Sequence, residues 1–291
     1  MNPIKRLTHR AEIRAVARLL HLSNFLELCY YRWASPRRIV ELRVLGVEAK
    51  FYVPDPRVLR VVEGNLLRED DFLRVLIPSL RQGDVFWDIG SQFGQFALLL
   101  AKVVGPSGQV VAFEPESGAY SLLKANLEIN GLGNVRAFGS ALGDHNGRGY
   151  LFTEKRSPSL VPDLSVPGLE SGFKAESLLN TEAATFASSA EPDDANQIVD
   201  VARGDWIREK EQLPIPRALK IDVEGYEYFV LKGLNGTLAH PACELLCCEI
   251  HPELSPRGAK TDAVIGLVKS LGFTRLNAVP RWGQLYMTAW K

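Results

Sequence analysis

Asp84-Val85-Phe86-Trp87-Asp88-Ile89-Gly90-Ser91-Gln92-Phe93-Gly94-Gln95-Phe96 is the stretch on which the fold turns. It starts as a short apolar run, breaks at two glycines four residues apart, and passes into a helical run over 96–104. Glycine is wanted where the backbone takes positive φ or approaches a ligand, so the segment reads as strand, tight turn and helix. The rhythm repeats outward. A turn at Gly105-Pro106-Ser107-Gly108 leads to a strand over 110–113, a helix over 117–129 and a third strand over 135–138. The alternation resumes with a strand over 218–221 and a helix marked by Tyr226, Phe229, Val230 and Leu234. A buried strand over 245–250 and a helix marked by Val264, Leu267, Val268 and Leu271 follow. Strands over 273–276 and 285–289, joined through Pro280-Arg281-Trp282-Gly283, suit an antiparallel hairpin at the sheet edge. The expected class is α/β and Rossmann-like: a mostly parallel seven-stranded sheet, helices on both faces, and a terminal antiparallel hairpin.

Two regions fall outside this rhythm. Residues 4–33 read as a helix with basic residues over much of one face, 38–53 as a hairpin turning near Gly46, and 70–80 as a short helix feeding the core. Residues 154–196, rich in Ser, Pro, Ala, Asp and Glu, read as a long insertion loop and candidate active-site cover. The expected division is a helix-and-hairpin extension over 1–55 and one larger domain over 56–291. Hydrophobic residues make up 46% and charged residues 23%, ordinary for a globular enzyme. Lys plus Arg and Asp plus Glu balance at 34 each, which argues against a nucleic-acid partner. No secretory signal is read, and the early apolar stretch is broken by Arg18, His21, Glu27 and Arg32, so no transmembrane segment is expected and the cytoplasm is the expected location. Cys29, Cys243, Cys247 and Cys248 have neither zinc nor disulfide spacing and read as reduced thiols.

The turn after Asp88 lies where open α/β sheets bind ligands. A nicotinamide or flavin site would want G-x-G-x-x-G and free amides for a pyrophosphate. Here the spacing is G-x-x-x-G, and Asp88 would repel a pyrophosphate while suiting a cation. S-adenosylmethionine carries an ammonium and a sulfonium and no phosphate, so charge favours it. Glu114, closing the second strand before Pro115, is placed to accept ribose hydroxyls and would serve NAD equally well. Ala141-Leu142-Gly143-Asp144 reads either as a stretch flanking the adenine or as a plain turn.

In order, D-I-G-S-Q-F-G, A-F-E-P, A-L-G-D, K-I-D-V-E-G and E-I-H-P-E resemble the FkbM-type methyltransferase family across roughly residues 60–277. The resemblance implies a class I methyltransferase fold, S-adenosylmethionine as cofactor, and usually O-methylation of sugar or polyketide hydroxyls. By motif match Asp88, Gly90, Gly94 and Glu114 are its cofactor residues, with Ser91, Phe93, Pro115 and Ala141 completing the expected cofactor set. Ser91-Gln92-Phe93 departs from the Ala-Asn and smaller apolar residue of many relatives.

Methyl transfer to an alcohol needs alignment and removal of a proton. The candidate catalytic residues close the later strands. Asp222 and Glu224, two apart, would share a face in extended chain. Glu249 and His251 end the next strand, His251 titrating near neutrality as a general base with Glu249 to orient it. The same groups could bind a divalent metal, but no ligand spacing demands one and none is expected. Trp206 and Trp282 are candidates to line an acceptor pocket. The competing readings are an NAD-dependent oxidoreductase or epimerase, and a catalytically inactive methyltransferase-like binding module.

Overall fold

The computed structural model describes residues 29–33, 38–68, 70–153, 184–187, 197–252, 261–281 and 283–291. Most of the expected N-terminal helix, most of the 154–196 segment, and Trp282 lie outside them.

The chain enters through a hairpin, β1 (Ile39–Val44) and β2 (Val47–Tyr52), then α1 (Pro56–Arg68) and α2 (Asp70–Ser79). The helix α1 is absent from the elements expected on sequence, although Asp55 and Pro56 are an N-cap and first-position pair; Asp55 Oδ1 accepts the Val58 amide at 3.1 Å. The alternating core follows as β3 (Val85–Ile89), α3 (Gln95–Val104), β4 (Gln109–Phe113), α4 (Ser117–Ile129) and β5 (Val135–Phe138). After an excursion through β6 (Ala141–Gly143), β7 (Gly147–Thr153), β8 (Ala184–Ala187), β9 (Gln197–Arg203) and α5 (Gly204–Lys210), it resumes. The return consists of β10 (Ala218–Ile221), α6 (Glu227–Gly233), α7 (Asn235–Ala239), β11 (Leu245–Ile250), α8 (Thr261–Ser270), β12 (Arg275–Arg281) and β13 (Gln284–Trp290).

Seven strands form the main sheet in the order β12-β13-β11-β10-β3-β4-β5. From β11 to β5 all neighbours are parallel, and β13 runs antiparallel to both β11 and β12. The terminal hairpin is longer than the sequence suggested, because β12 continues through Pro280 to Arg281 on the sheet edge, where a missing N–H is tolerated. Alternation along each strand sends side chains to two cores. Phe86, Val110, Ala112, Ala218 and Cys247 pack beneath α1 to α4, whereas Trp87, Ile89, Val111, Phe113, Leu219, Ile221 and Cys248 meet α6 and α8. Each fully buried aliphatic or aromatic side chain contributes about 1.5–3 kcal/mol.

The excursion is the main departure from expectation. Within the segment read as a loop, β8 joins β6, β7 and β9 in a second, four-stranded sheet, β6-β9-β7-β8, in which Ala141 pairs with Val201 and Tyr150 with Ala187. Ala141–Gly143 is thus a strand rather than a turn. The hairpin assigned to an N-terminal extension shares its core with the main sheet. Phe51 is fully buried there, Asn126 Oδ1 accepts the Tyr52 amide at 2.7 Å, and Asn130 bonds both the amide and the carbonyl of Lys50.

Candidate active site

β3 and β10 lie side by side at the point where strand order reverses, and their carboxyl ends run into two tight turns. The first turn holds Gly90 at φ 78°, Gln92 at φ 50° and Gly94 at φ 91°; the second holds Glu224 at φ 51° and Gly225 at φ 99°. Left-handed Gln92 and Glu224 each cost about 1–3 kcal/mol, and such strain gathers at functional sites. The turns touch. A Cβ on Gly90 would lie 1.8 Å from the Asp222 carbonyl oxygen, so this glycine exists to let two backbones meet. Gly94 is closed off instead by Leu123 and Leu98.

The buried acids are placed as follows. Asp88 is fully buried; its Oδ2 accepts the Ala97 amide of α3 at 3.0 Å, and its Oδ1 has no hydrogen-bond partner and lies 3.8 Å from Lys220 Nζ. Burial raises its pKa to about 6 against the pull of Lys220. Glu114 accepts the Gln92 amide at 2.7 Å and the Glu116 amide at 2.9 Å, and burial raises it to about 7. Ser91 donates to the Asp88 carbonyl at 2.7 Å. Phe93 is turned into the core, edge-on to Phe51 with centroids 6.0 Å apart, because Asn126 holds its carbonyl at 2.8 Å. The Pro115 carbonyl accepts from Gln197 at 3.0 Å, and that contact ties the second sheet to this edge. Ala141 is buried in β6. Trp206 is 42% exposed on α5 beneath Lys210, which does not suit a pocket wall.

Six residues converge on the other side of the turns: Lys220, Asp222, Glu224, Glu227, Glu249 and His251. Lys220, buried and in register with Asp88, donates to the Gly90 carbonyl at 2.9 Å and sits 3.3 Å from Asp222 Oδ2. His251 Nε2 faces Glu224 Oε2 at 3.4 Å, Glu249 Oε1 at 3.7 Å and Asp222 Oδ1 at 3.9 Å. Its Nδ1 donates to Glu227 Oε1 at 2.8 Å. Glu227, and not Glu249, therefore orients the ring. Burial alone would push His251 down, but the Glu227 hydrogen bond and the charges of Asp222, Glu227 and Glu224 outweigh it and carry the imidazole up to about 10. The expectation of a His titrating near neutrality does not hold; ringed by carboxylates, it keeps its proton. Glu224 and Glu249 are raised to about 7, by burial first and then by the charge of Asp222. Asp222 and Glu224 do reach one point, though by the left-handed turn at Glu224 rather than an extended chain. The ligand atoms of Asp222, Glu224 and His251 all lie within 4.8 Å of one another, a grouping that residue spacing in the sequence does not demand.

Sequence reasoning missed Lys220, Glu227 and Gln95. Lys220 alternates with Asp222 on one face, a readable signal, and Glu227 accepts the Gly225 amide of the preceding turn at 2.9 Å. Gln95 opens α3, 3% exposed, with neither amide atom hydrogen-bonded.

These residues suit a cationic cofactor. Among the described residues, Asp88, Glu114, Asp222, Glu224, Glu227 and Glu249 at this edge are answered by Lys220 and His251, so their negative charge is in excess. The helix start that would cradle a pyrophosphate is taken by the Asp88 carboxylate. Buried polar atoms without partners are costly, by about 1–3 kcal/mol each, and Gln95 offers two of them.

Strand order, the antiparallel β13 and the switch-point turns define a class I, Rossmann-like methyltransferase fold. The chain belongs to the FkbM methyltransferase family, whose Methyltransferase FkbM domain matches residues 88–274, and it is an S-adenosylmethionine-dependent methyltransferase. It is similar to hexuronic acid methyltransferase AglP of Haloferax volcanii, 25% identical over 80% of this chain and 83% of that protein. Methyltransferase 1 of Beauveria bassiana is 28% identical over 51% of this chain and 57% of its own. The crystal structure of an FkbM methyltransferase from Methylobacillus flagellatus aligns with 72% of this chain and 43% of that one, at 14% identity and a TM-score of 0.45. Among the described residues no helix is long and apolar enough to cross a membrane.

Proposed function

We propose that the enzyme methylates a hydroxyl oxygen on a sugar, glycolipid or polyketide-type small molecule. The observation that carries this reading is the gathering of Asp222, Glu224, Glu249 and His251 at the carboxyl edge, against the turn of Gly90. An alcohol must lose its proton as it attacks, and a positioned carboxylate contributes about 10²–10⁴-fold. Glu224, with 28% of its side chain exposed against 16% for Asp222 and 7% for Glu249, is the acid most open to an acceptor and is assigned that proton. Glu227 and His251 hold Glu224 in place. Bound S-adenosylmethionine supplies a methyl group activated by its sulfonium. Glu114 would accept the ribose hydroxyls on lone pairs its two amide bonds leave free, while Asp222 and Gln95 would meet the amino-acid end.

The relative from Haloferax volcanii is by name a hexuronic acid methyltransferase, which supports a sugar acceptor. The even balance of 34 basic and 34 acidic residues supports a small molecule over nucleic acid. The buried free thiols Cys243, Cys247 and Cys248 support a reducing location, the cytoplasm. An acceptor screen of uronic acids, neutral glycosides and polyketide alcohols, read by mass spectrometry, tests the reading. We expect a product one methyl heavier on oxygen and at least about a hundredfold lower kcat for Glu224→Gln with S-adenosylmethionine affinity retained. Methylation on nitrogen, or full activity in that variant, would overturn it.

A further inference from the structure

We propose that Asp222, Glu224 and His251 form a binding site for one divalent first-row metal cation of the Mn²⁺ type. The donors come from two segments: Asp222 and the left-handed Glu224 in the turn that follows β10, and His251, the residue following β11. Such convergence from separate segments is unlike an acidic stretch on one loop.

The spacing approaches that of a ligand polyhedron. With metal–ligand bonds of about 2.0–2.2 Å, neighbouring ligand atoms sit about 3.0–3.5 Å apart and opposite ones about 4.2 Å. His251 Nε2 lies 3.4 Å from Glu224 Oε2 and 3.9 Å from Asp222 Oδ1, and the three ligand atoms fall within 4.8 Å of one another. The imidazole supplies a second, independent observation. His251 is 3% exposed, and its Nε2 points into the cluster, toward Glu224 Oε2 at 3.4 Å and Asp222 Oδ1 at 3.9 Å, while its Nδ1 is fixed by Glu227 at 2.8 Å. A carboxylate on one ring nitrogen that aims the other is the arrangement by which proteins orient a metal-ligating histidine.

The surrounding charges leave room for a cation. Lys220 answers Asp222 on Oδ2, at 3.3 Å, and leaves Oδ1 turned toward His251. Glu249 Oε1, 3.7 Å from Nε2, adds a carboxylate beside the site. The cation would replace the proton that these acids otherwise hold on Nε2. One imidazole with carboxylates suits Mn²⁺ better than the all-oxygen preference of Mg²⁺ or the thiolate-rich sites of structural zinc. At this edge the cation would hold the acceptor oxygen and lower its pKa. That role rests on the oxygen-acceptor reading above, whereas cation binding does not.

The test is Mn²⁺ titration of the full chain, followed by loss of the free-ion electron paramagnetic resonance signal, with S-adenosylmethionine affinity measured separately by calorimetry. We expect wild type to take up one Mn²⁺ per chain at micromolar concentration. Glu224→Gln and His251→Gln should weaken uptake at least about tenfold. Glu244→Gln, on an exposed ion pair with Arg217, should leave uptake unchanged. No uptake by wild type at millimolar Mn²⁺, or equal uptake by a Glu224→Gln protein that still binds S-adenosylmethionine, would overturn the site. Because uptake is read without acceptor or cofactor, its failure counts against the cation site alone. Failure of methyl transfer with uptake intact counts against the oxygen-acceptor reading alone.

Discussion

Glu114→Gln should make the free enzyme more stable at pH 8 and a weaker binder of S-adenosylmethionine. Glu114 is 6% exposed, and burial raises its pKa from 4.5 to about 7 despite the amides of Glu116 and Gln92. A carboxyl whose folded pKa lies above its unfolded one holds more protons when folded between those values. Stability therefore falls as pH rises from about 4.5 to about 7, and the penalty is complete above that window. At 1.36 kcal/mol per unit the penalty is of the order of 3 kcal/mol. Glutamine removes the charge and keeps the shape, but its single oxygen serves only one of the two amides, which costs about 1 kcal/mol. The net gain is about 2 kcal/mol at pH 8, or roughly 4–8 °C in Tm for a chain of this size, and it should vanish near pH 5, where the wild-type carboxyl is itself neutral. Lost charge-assisted hydrogen bonds to the ribose, about 1.5–3 kcal/mol, predict about 10–100-fold weaker cofactor binding at pH 8. Calorimetric melts at both pH values and S-adenosylmethionine titrations check both halves. A variant that melts below wild type at pH 8, or that binds the cofactor as tightly, would refute the reasoning.

Two further substitutions test the scaffold. Gly90→Ala puts a Cβ 1.8 Å from the Asp222 carbonyl oxygen at φ 78°, so the two turns must part; urea denaturation should show a loss of several kcal/mol and calorimetry a loss of cofactor binding. Asn126→Ala leaves the buried Phe93 carbonyl and Tyr52 amide without partners, and urea denaturation should show about 2–4 kcal/mol lost, with cofactor affinity reduced because the Gly90–Gly94 turn loses its anchor.

What was legible in the sequence, and what was not, divides along physical lines. The parallel core is written in apolar runs of strand length separated by amphipathic helices, so β3, β4, β5, β10 and β11 could be placed nearly residue by residue. The second sheet is not written that way. β6 has three residues, β7 carries Gly147 and Gly149, and β7 pairs with β8 and β9 across more than thirty residues of polar chain, so its stability is non-local and leaves little local pattern. The same distinction governs the site. Acids at the ends of strands are legible, because strand ends are where an open α/β sheet meets its ligands. What each acid faces is not. Asp88 closes its strand as a cofactor residue should, yet one of its oxygens holds the amide of Ala97 nine residues on, and Lys220 answers the charge. His251 carries the residue type of a general base, yet carboxylates from the turn after β10, from β11 and from α6 converge on it, and those of Glu227, Asp222 and Glu224 keep it protonated. A side chain's identity sets its chemistry only up to its neighbours. Here the neighbours come from segments up to 29 residues away in the chain, so the fold, and not the residue type alone, decides that His251 holds its proton.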